Sequence, residues 1–290
     1  MRSHALCKKL ETLLPVVFVA AGFLALGAVP ALAIDVCGNG ICLGTAVPPE
    51  TCVTCPADCG PCPPVTVVNM IPFAQSAETW QDSEPNLAVN PANAQQIAGS
   101  AFTINPTGAT TSAPIYVSTN GGSTWTMNNI VPSGNGWTGD ITLRFGGTSN
   151  VLYTGILLGG AGLTLNILRT TNFAAATPMT LLRSRGSVDQ PYVQAITFSG
   201  ADRVYVGNND FGAAGGRTAT VDRTLSGTVA SPVFSSLRIE TRATCSQDAP
   251  PIRPAIHADG TAYAIFYRWR APTCSSPYTT DVVVVRDDNG

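Results

Sequence analysis

Charge is scarce in this chain, and basic charge is the scarcest of all. Only 12% of the 290 residues are charged against 44% that are hydrophobic, a balance that disordered chains do not have. Both lysines, Lys8 and Lys9, lie near the N-terminus. Beyond residue 33 there are 13 arginines and 17 acids, so the net charge there is 13 − 17 = −4. Because a nucleic-acid-binding protein needs a cationic surface, we exclude nucleic acid as a partner.

Histidine and the common catalytic motifs are equally sparse. His257 is the only histidine after His4, which excludes a histidine-rich zinc site and leaves any serine–histidine–aspartate triad dependent on this one residue. The sequence contains no G-x-S-x-G, no phosphate-binding glycine loop and no H-E-x-x-H. We expect a structural role for His257 and no cofactor, with a structural cation such as calcium as an open alternative.

The N-terminal segment has the pattern of an export signal. Basic residues precede an apolar run at 16–29, and Ala31-Leu32-Ala33 supplies a small-residue cleavage site. The run is short for a helix that crosses a bilayer. Residues 1–33 are therefore predicted to be a cleaved signal peptide. We expect a secreted protein, extracellular or at the cell surface, with no membrane span after cleavage.

Eight cysteines follow the signal, six of them within residues 34–64. An even number behind a signal peptide favours disulfides, although the sequence does not choose among the pairings. Zinc is the alternative, because two C-x-x-C pairs occur, but only three residues separate them, too few for a usual zinc ribbon. We expect a disulfide module with a proline linker at 34–64, a further downstream disulfide, and no metal. The cysteines are Cys37, Cys42, Cys52, Cys55, Cys59, Cys62, Cys245 and Cys274.

From residue 65 to residue 290 short β-rich runs alternate with turn signals, and no helical period is sustained. Four hairpins recur, each followed by a third strand candidate, in units that begin near residues 84, 140, 189 and 253. A unit of this kind, repeated every 50 to 60 residues, is typical of propeller blades. The sequence therefore predicts an all-β propeller, with a β-sandwich as the alternative.

The segment 118–125 resembles the Asp-box, S-x-D-x-G-x-T-W, of sialidase-like propellers, with asparagine in place of the aspartate. Its matching positions are Ser118, Asn120, Gly122, Thr124 and Trp125. The resemblance implies a turn that joins the two outer strands of a blade and takes no part in chemistry. It also implies six blades. About four fit between residue 78 and residue 290, so we expect an incomplete ring with apolar surface at both ends.

Separately, the stretch Cys37-Gly38-Asn39-Gly40-Ile41-Cys42 resembles a small Cys-rich module of exported bacterial proteins.

In propellers the innermost strands line the central channel, and here their openings carry Glu84, Asp140, Asp189 and Arg253. Sialidase-like enzymes grip a substrate carboxylate with three arginines. Arg253, which precedes a proline, resembles one of them, whereas the three acids would repel a carboxylate. Solvated or turn-capping roles, paired carboxylates in glycoside hydrolysis and a cation site are the alternatives for these acids.

The resemblance leads to one functional hypothesis and two alternatives. The hypothesis is a degenerate, glycosidase-like propeller that binds an extracellular glycan or another cell-surface ligand at its channel mouth. The alternatives are an active exo-α-sialidase, a glycoside hydrolase, and a structural surface or adhesion module. Three arginines in one pocket would favour the enzyme, and fewer would favour binding.

Overall fold

A computed structural model of the chain describes residues 37–42, 44, 48–62, 64–71, 83–102, 115–132, 138–148, 150–158, 163–212, 218–240, 251–270 and 279–288. The chain divides into two compact units, Met1–Thr66 and Val67–Gly290. The predicted signal peptide, Cys245 and Cys274 lie outside the described residues. In the part of the chain that is described, no helix is long and apolar enough to cross a membrane.

Three disulfides hold the N-terminal unit together. They join Cys37 to Cys55, Cys42 to Cys59 and Cys52 to Cys62, which confirms the predicted disulfides for these six cysteines. The thiols are consumed in these bonds, so the zinc alternative does not apply to them. A single turn of helix, α1 (Pro56–Cys59), carries Asp58, whose carboxylate accepts hydrogen bonds from the backbone N–H groups of Gly38 and Gly40 at 2.7 and 2.9 Å.

The second unit consists of four antiparallel sheets that follow one another along the chain. Within each sheet the strands are neighbours in sequence order, so every sheet is a simple meander. The first three sheets have four strands, and the described part of the fourth has three. This succession of meanders, rather than two facing sheets, confirms the predicted all-β propeller with about four blades. The strands are β1 (Ser83–Val89), β2 (Ile97–Phe102), β3 (Ile115–Ser118) and β4 (Thr126–Asn128) in blade 1; β5 (Thr138–Phe145), β6 (Leu152–Leu158), β7 (Thr164–Thr170) and β8 (Thr180–Gly186) in blade 2; β9 (Val188–Phe198), β10 (Ala201–Asp210), β11 (Thr218–Thr224) and β12 (Ser235–Arg238) in blade 3; and β13 (Arg253–Ile256), β14 (Ala262–Trp269) and β15 (Thr280–Asp287) in blade 4.

Three apolar cores lie between successive blades. The innermost strands β1, β5, β9 and β13 also contact each other in that order. Ile115 and Leu143 belong to the core between blades 1 and 2, Ile167 and Val206 to the next, and Phe266 to the core between blades 3 and 4. The blades therefore stack face to face, with their inner strands side by side.

The blades at the two ends of the array expose apolar residues. In blade 4 the outward face carries Ile265, Val282 and Val284, which are 43%, 63% and 60% exposed. In blade 1 Leu87 and Val89 are exposed. Apolar surface at both ends agrees with the expectation for an arc of blades, while the incompleteness of the ring stays a prediction.

The segment 118–125 forms the turn between β3 and β4, the two outer strands of blade 1. The Ser118 hydroxyl accepts a hydrogen bond from the Gly122 N–H at 2.9 Å, and Asn120 Oδ1 accepts one from the Thr124 N–H at 3.0 Å. The Trp125 indole N–H donates to the Gly122 carbonyl at 3.0 Å. The five positions of the motif thus close a turn at the blade periphery.

A buried ion network ties blade 2 to blade 3. Asp222 is fully buried in β11, and Arg185 from β8 donates to both of its carboxylate oxygens at 2.8 and 2.9 Å. The other Arg185 amino group contacts Asp210 at 2.5 Å, and the Asn208 amide and the Ser236 hydroxyl donate to Asp222 at 2.8 and 2.5 Å. With every partner hydrogen-bonded, the buried charge is tolerated.

Candidate functional site

A cavity of about 300 Å³ opens where the inner strands of all four blades begin. Glu84 comes from blade 1, Asp140 from blade 2, Gln190 and Tyr192 from blade 3, and Arg253 from blade 4. The sequence placed Glu84, Asp140 and Arg253 at the strand openings, and the structure brings these three together. Pro85 and Pro191 form apolar walls beside them.

Irregular backbone at the strand openings accompanies these side chains. The register of β1 against β2 shifts between Ser83 and Asn86, and that of β5 against β6 shifts between Thr138 and Ile141. Glu84 and Gln190 have φ angles of 50° and 55°, in the left-handed region that non-glycine residues seldom adopt. Bulges of this kind re-aim side chains, and strained residues of this kind concentrate at functional sites.

Glu84 and Asp140 form a hydrogen-bonded pair of carboxyl groups. Burial raises the pKa of Asp140 to about 6, and the charge and the hydrogen bond of Glu84 add to the rise, while the charge of Arg253 opposes it. Burial disfavours the charged form of Asp140, and the nearby Glu84 carboxylate disfavours it further by repulsion. Below about pH 6 the Asp140 carboxyl is therefore mostly protonated.

Arg253 supplies the positive charge of the cavity. Its guanidinium carbon lies 4.7 Å from the centre of the Tyr192 ring, a cation–π contact that fixes the side chain beside the acids. It is the only arginine among the described residues that line the cavity. The three-arginine clamp for a carboxylate is therefore not present in this part of the chain.

Hydrogen bonds between inner strands hold the cavity in shape. The Thr142 hydroxyl on β5 accepts from the Val193 N–H at 3.0 Å and donates to the Pro191 carbonyl at 3.3 Å, both on β9. The Asn86 side chain on β1 accepts from the Leu143 N–H at 2.7 Å. Blade 1 is thus tied to blade 2, and blade 2 to blade 3, beside the side chains that line the cavity.

Asp189, the fourth residue singled out from the sequence, is not among the cavity-lining residues. It is 8% exposed, and one of its carboxylate oxygens accepts a hydrogen bond from the Gln190 N–H at 2.9 Å. Its neighbour Gln190 takes the place in the cavity.

The sequence contains a pattern that distinguishes Gln190 from Asp189 as the residue that lines the cavity. Glu84, Gln190 and Arg253 each directly precede a proline, and proline disfavours helical backbone for the residue before it. Aligning the units on that proline would have selected Gln190, and with it Tyr192 two residues on.

His257 lies in the hairpin turn between β13 and β14, past the end of the strand that begins with Arg253. Its Nδ1 atom is 3.0 Å from Asp259, and both side chains are exposed. Two hydrogen bonds lower the pKa of Asp259 to about 2: the larger effect comes from the Thr261 backbone N–H and the next from the His257 side chain. This position agrees with the expected structural role of His257.

No protein-family model matches the chain, and no curated protein matches it. Among solved structures, an α-L-arabinofuranosidase of Fusarium graminearum with arabinobiose has 13% identity and a TM-score of 0.49, over 76% of this chain and 66% of the other. An α-L-arabinanase of Penicillium chrysogenum has 13% identity and a TM-score of 0.46, over 72% and 63%. A xylan β-1,4-xylosidase of Bacillus halodurans has 12% identity and a TM-score of 0.43, over 69% and 41%. The chain spans less than two thirds of the length of each.

The topology of the sheets and the lining of the cavity define the class of this protein. It is an all-β protein of propeller type, with a disulfide-rich N-terminal unit and an acidic cavity at the openings of its inner strands.

Proposed function

We propose that this chain is an exported, sialidase-like propeller that binds an uncharged glycan in the cavity between Glu84, Asp140 and Arg253. The observation that carries the proposal is the convergence of these three side chains, each from a different blade, on one open cavity of about 300 Å³. Small-molecule sites combine a concave surface, apolar walls and a few convergent polar groups of this kind. The three disulfides support export, because such bonds persist in oxidising compartments.

The charges of the cavity favour a sugar without a carboxylate. Carboxylate oxygens accept hydrogen bonds from sugar hydroxyls, and the guanidinium of Arg253 donates to sugar oxygens. With both acids ionised, two negative charges against one arginine make the cavity negative, so a sialic acid or a uronate would be repelled. This is the reason that binding of a neutral glycan is preferred to sialidase activity.

Glycoside hydrolysis is the second candidate, and the raised pKa of Asp140 is the observation that favours it. A carboxyl group with a pKa of about 6 is suited to general acid catalysis near neutral pH. Against it stands the contact between the two acids, because hydrolytic carboxyl pairs are separated by about 5 Å or more to accommodate the sugar or a water. The geometry thus favours binding over turnover.

The test is a glycan array with the full mature chain, followed by calorimetric titration of the glycans that bind. We expect Asp140→Asn and Arg253→Ala to weaken binding about tenfold or more, since a hydrogen bond to a charged group contributes about 1.5–3 kcal/mol. Asp259→Asn, an exposed carboxylate of the same blade as Arg253, is the matched control and should bind normally.

Activity is measured on the same variants. We expect negligible turnover of a fluorogenic sialoside. Efficient turnover that disappears in Arg253→Ala would show a sialidase, and turnover of a neutral nitrophenyl glycoside that disappears in Asp140→Asn would show the second candidate. Normal glycan binding by both cavity variants would refute the proposed site.

A further inference from the structure

A second cavity lies at the opposite end of the inner strands from the acidic one. It measures about 420 Å³ and is bounded by the turn after β1, the turn after β5 and the turn after β7. Glu84 in β1 and Asn90, where the first of these turns begins, are six positions apart, which corresponds to about 20 Å along a strand. The two cavities are therefore distinct.

Carboxamides, not charges, line this second cavity. They are Asn93, Gln96, Asn150 and Asn172, from three separate turns, and no charged side chain is among the described residues that line it. We call it the amide cavity. Thr171 adds a hydroxyl. Phe173 also lines it, and its ring packs edge-on against Phe145 with 5.2 Å between ring centres, so the floor is fixed.

A fully buried asparagine orients two of these carboxamides. The Asn90 amide nitrogen donates to Gln96 Oε1 and to Asn150 Oδ1, at 2.7 Å in each case. The oxygen of each carboxamide is thereby occupied, so its NH₂ group lies on the side away from Asn90. Asn150 has a φ angle of 55°, a conformation in which Asn is tolerated better than most residues.

The remaining carboxamides add to the same set of donors. Asn93 Oδ1 accepts from the Gln95 N–H at 3.1 Å, which again leaves the NH₂ group. The side-chain amide of Asn172 makes no hydrogen bond with the other described residues, and neither do the NH₂ groups of Gln96 and Asn150. The cavity is thus lined by amide donors that have no partner within the described fold.

We propose that the amide cavity is a second binding site, for an uncharged sugar. Its NH₂ groups donate to hydroxyl and ring oxygens, and the Asn172 carboxamide oxygen accepts from a hydroxyl. A ligand with a carboxylate would call for a cation, which the lining does not contain. A volume of about 420 Å³ suits a small ligand. The inference does not depend on the function proposed for the acidic cavity.

The test follows the side-chain NH₂ resonances of Gln96, Asn150 and Asn172 in the ¹⁵N-labelled full mature chain. The probes are glucose, galactose, mannose, xylose and arabinose, each added to tens of millimolar, with sodium sulfate as an anionic probe. We expect at least one sugar to shift these resonances with saturation. Asn172→Ala and Gln96→Ala should each weaken that sugar about threefold to tenfold, the effect of one lost hydrogen bond.

Three further variants keep the test specific. Gln95→Ala removes a neighbouring amide outside the cavity and should bind the sugar as the wild type does. Asn150→Gly removes another donor of the cavity at a position whose positive φ angle glycine accepts, and it should weaken the sugar as Asn172→Ala does. Glu84→Gln should leave the shifts unchanged, because that residue belongs to the acidic cavity.

The proposal is overturned if no sugar shifts these resonances, if sulfate alone does so, or if Glu84→Gln abolishes the shifts while Asn172→Ala retains them. A failure of glycan binding at the acidic cavity changes none of these results.

Discussion

Replacing Asp140 by asparagine is the most direct test of whether burial and Glu84 raise the pKa of Asp140 in the folded state. The substitution removes one ionisable group from the cavity but keeps its size and its ability to hydrogen-bond with Glu84. In the wild type the folded state raises the pKa of Asp140 from 3.8 to about 6. The folded state therefore binds the proton more tightly than the unfolded state does between these values.

The sign of the effect follows from proton linkage. The wild type loses stability as the pH rises from below 4 through 6, because ionisation of Asp140 is opposed only in the folded state. The full loss is about 3 kcal/mol, from a shift of about two pH units at 1.36 kcal/mol each. Asp140→Asn escapes this loss, so its free energy of unfolding should rise relative to the wild type by about 2 kcal/mol between pH 4 and pH 8, the rest of the effect lying below pH 4.

The measurement is urea unfolding of both proteins, followed by tryptophan fluorescence, at several pH values in this range. Asp259→Asn is the control. The pKa of Asp259 is lowered to about 2, so its ionisation stabilises the fold mainly as the pH rises from about 2 to about 4. From pH 4 to pH 8 the free energy of unfolding of Asp259→Asn should therefore run nearly parallel to that of the wild type. A difference between Asp140→Asn and the wild type that stays constant from pH 4 to pH 8 would show that the folded state does not raise the pKa of Asp140.

Two further substitutions test how the blades are joined, each measured as a free energy of unfolding in urea. A Cβ atom on Gly207 would lie 2.6 Å from the Ile252 carbonyl oxygen, so Gly207→Ala should lower the free energy of unfolding by about 2 kcal/mol or more. Gly186→Ala is the control and should be nearly neutral, because a Cβ atom on Gly186 would meet nothing within 4 Å. Equal effects of the two substitutions would contradict the close packing of blades 3 and 4. Asp222→Ala removes the buried acceptor of Arg185, Asn208 and Ser236, and Arg185 keeps only its pairing with Asp210. The substitution should cost about 3 kcal/mol, against about 1 kcal/mol or less for Asp281→Ala in an exposed ion pair. A small effect at Asp222 would show that the network is dispensable.

The sequence predicted the inner three strands of each blade well and the fourth strands not at all. Inner strands alternate or run apolar because they pack on neighbouring blades, as β6 does, where every residue is buried. The outer strand β8, Thr-Leu-Leu-Arg-Ser-Arg-Gly, is half exposed and is held to blade 3 by Arg183 and Arg185. Such contacts between distant residues leave no periodic signal in the sequence.

The position of the candidate site could be predicted from the repeat, but the choice of some of its side chains could not. The openings of the inner strands could be located from the repeat, which placed Glu84, Asp140 and Arg253. Whether Asp189 or Gln190 faces the cavity depends on one residue of strand register, and a bulge shifts that register without a clear mark in the composition. The amide cavity was missed because its members come from three turns that look like ordinary connections.

The strand β15 bears on how this protein behaves at high concentration. It contains four successive valines, Val282–Val285, and lies at the edge of its sheet in the described part of the chain. Where no further strand covers this edge, its valines on both faces make it a template for pairing with a like strand of another molecule. Asp281, Arg286 and Asp287 flank the valines and oppose such pairing by their charge. Because salt screens charges of this kind, we expect the onset of aggregation to move to lower protein concentration as the ionic strength rises, even where the fold itself stays intact.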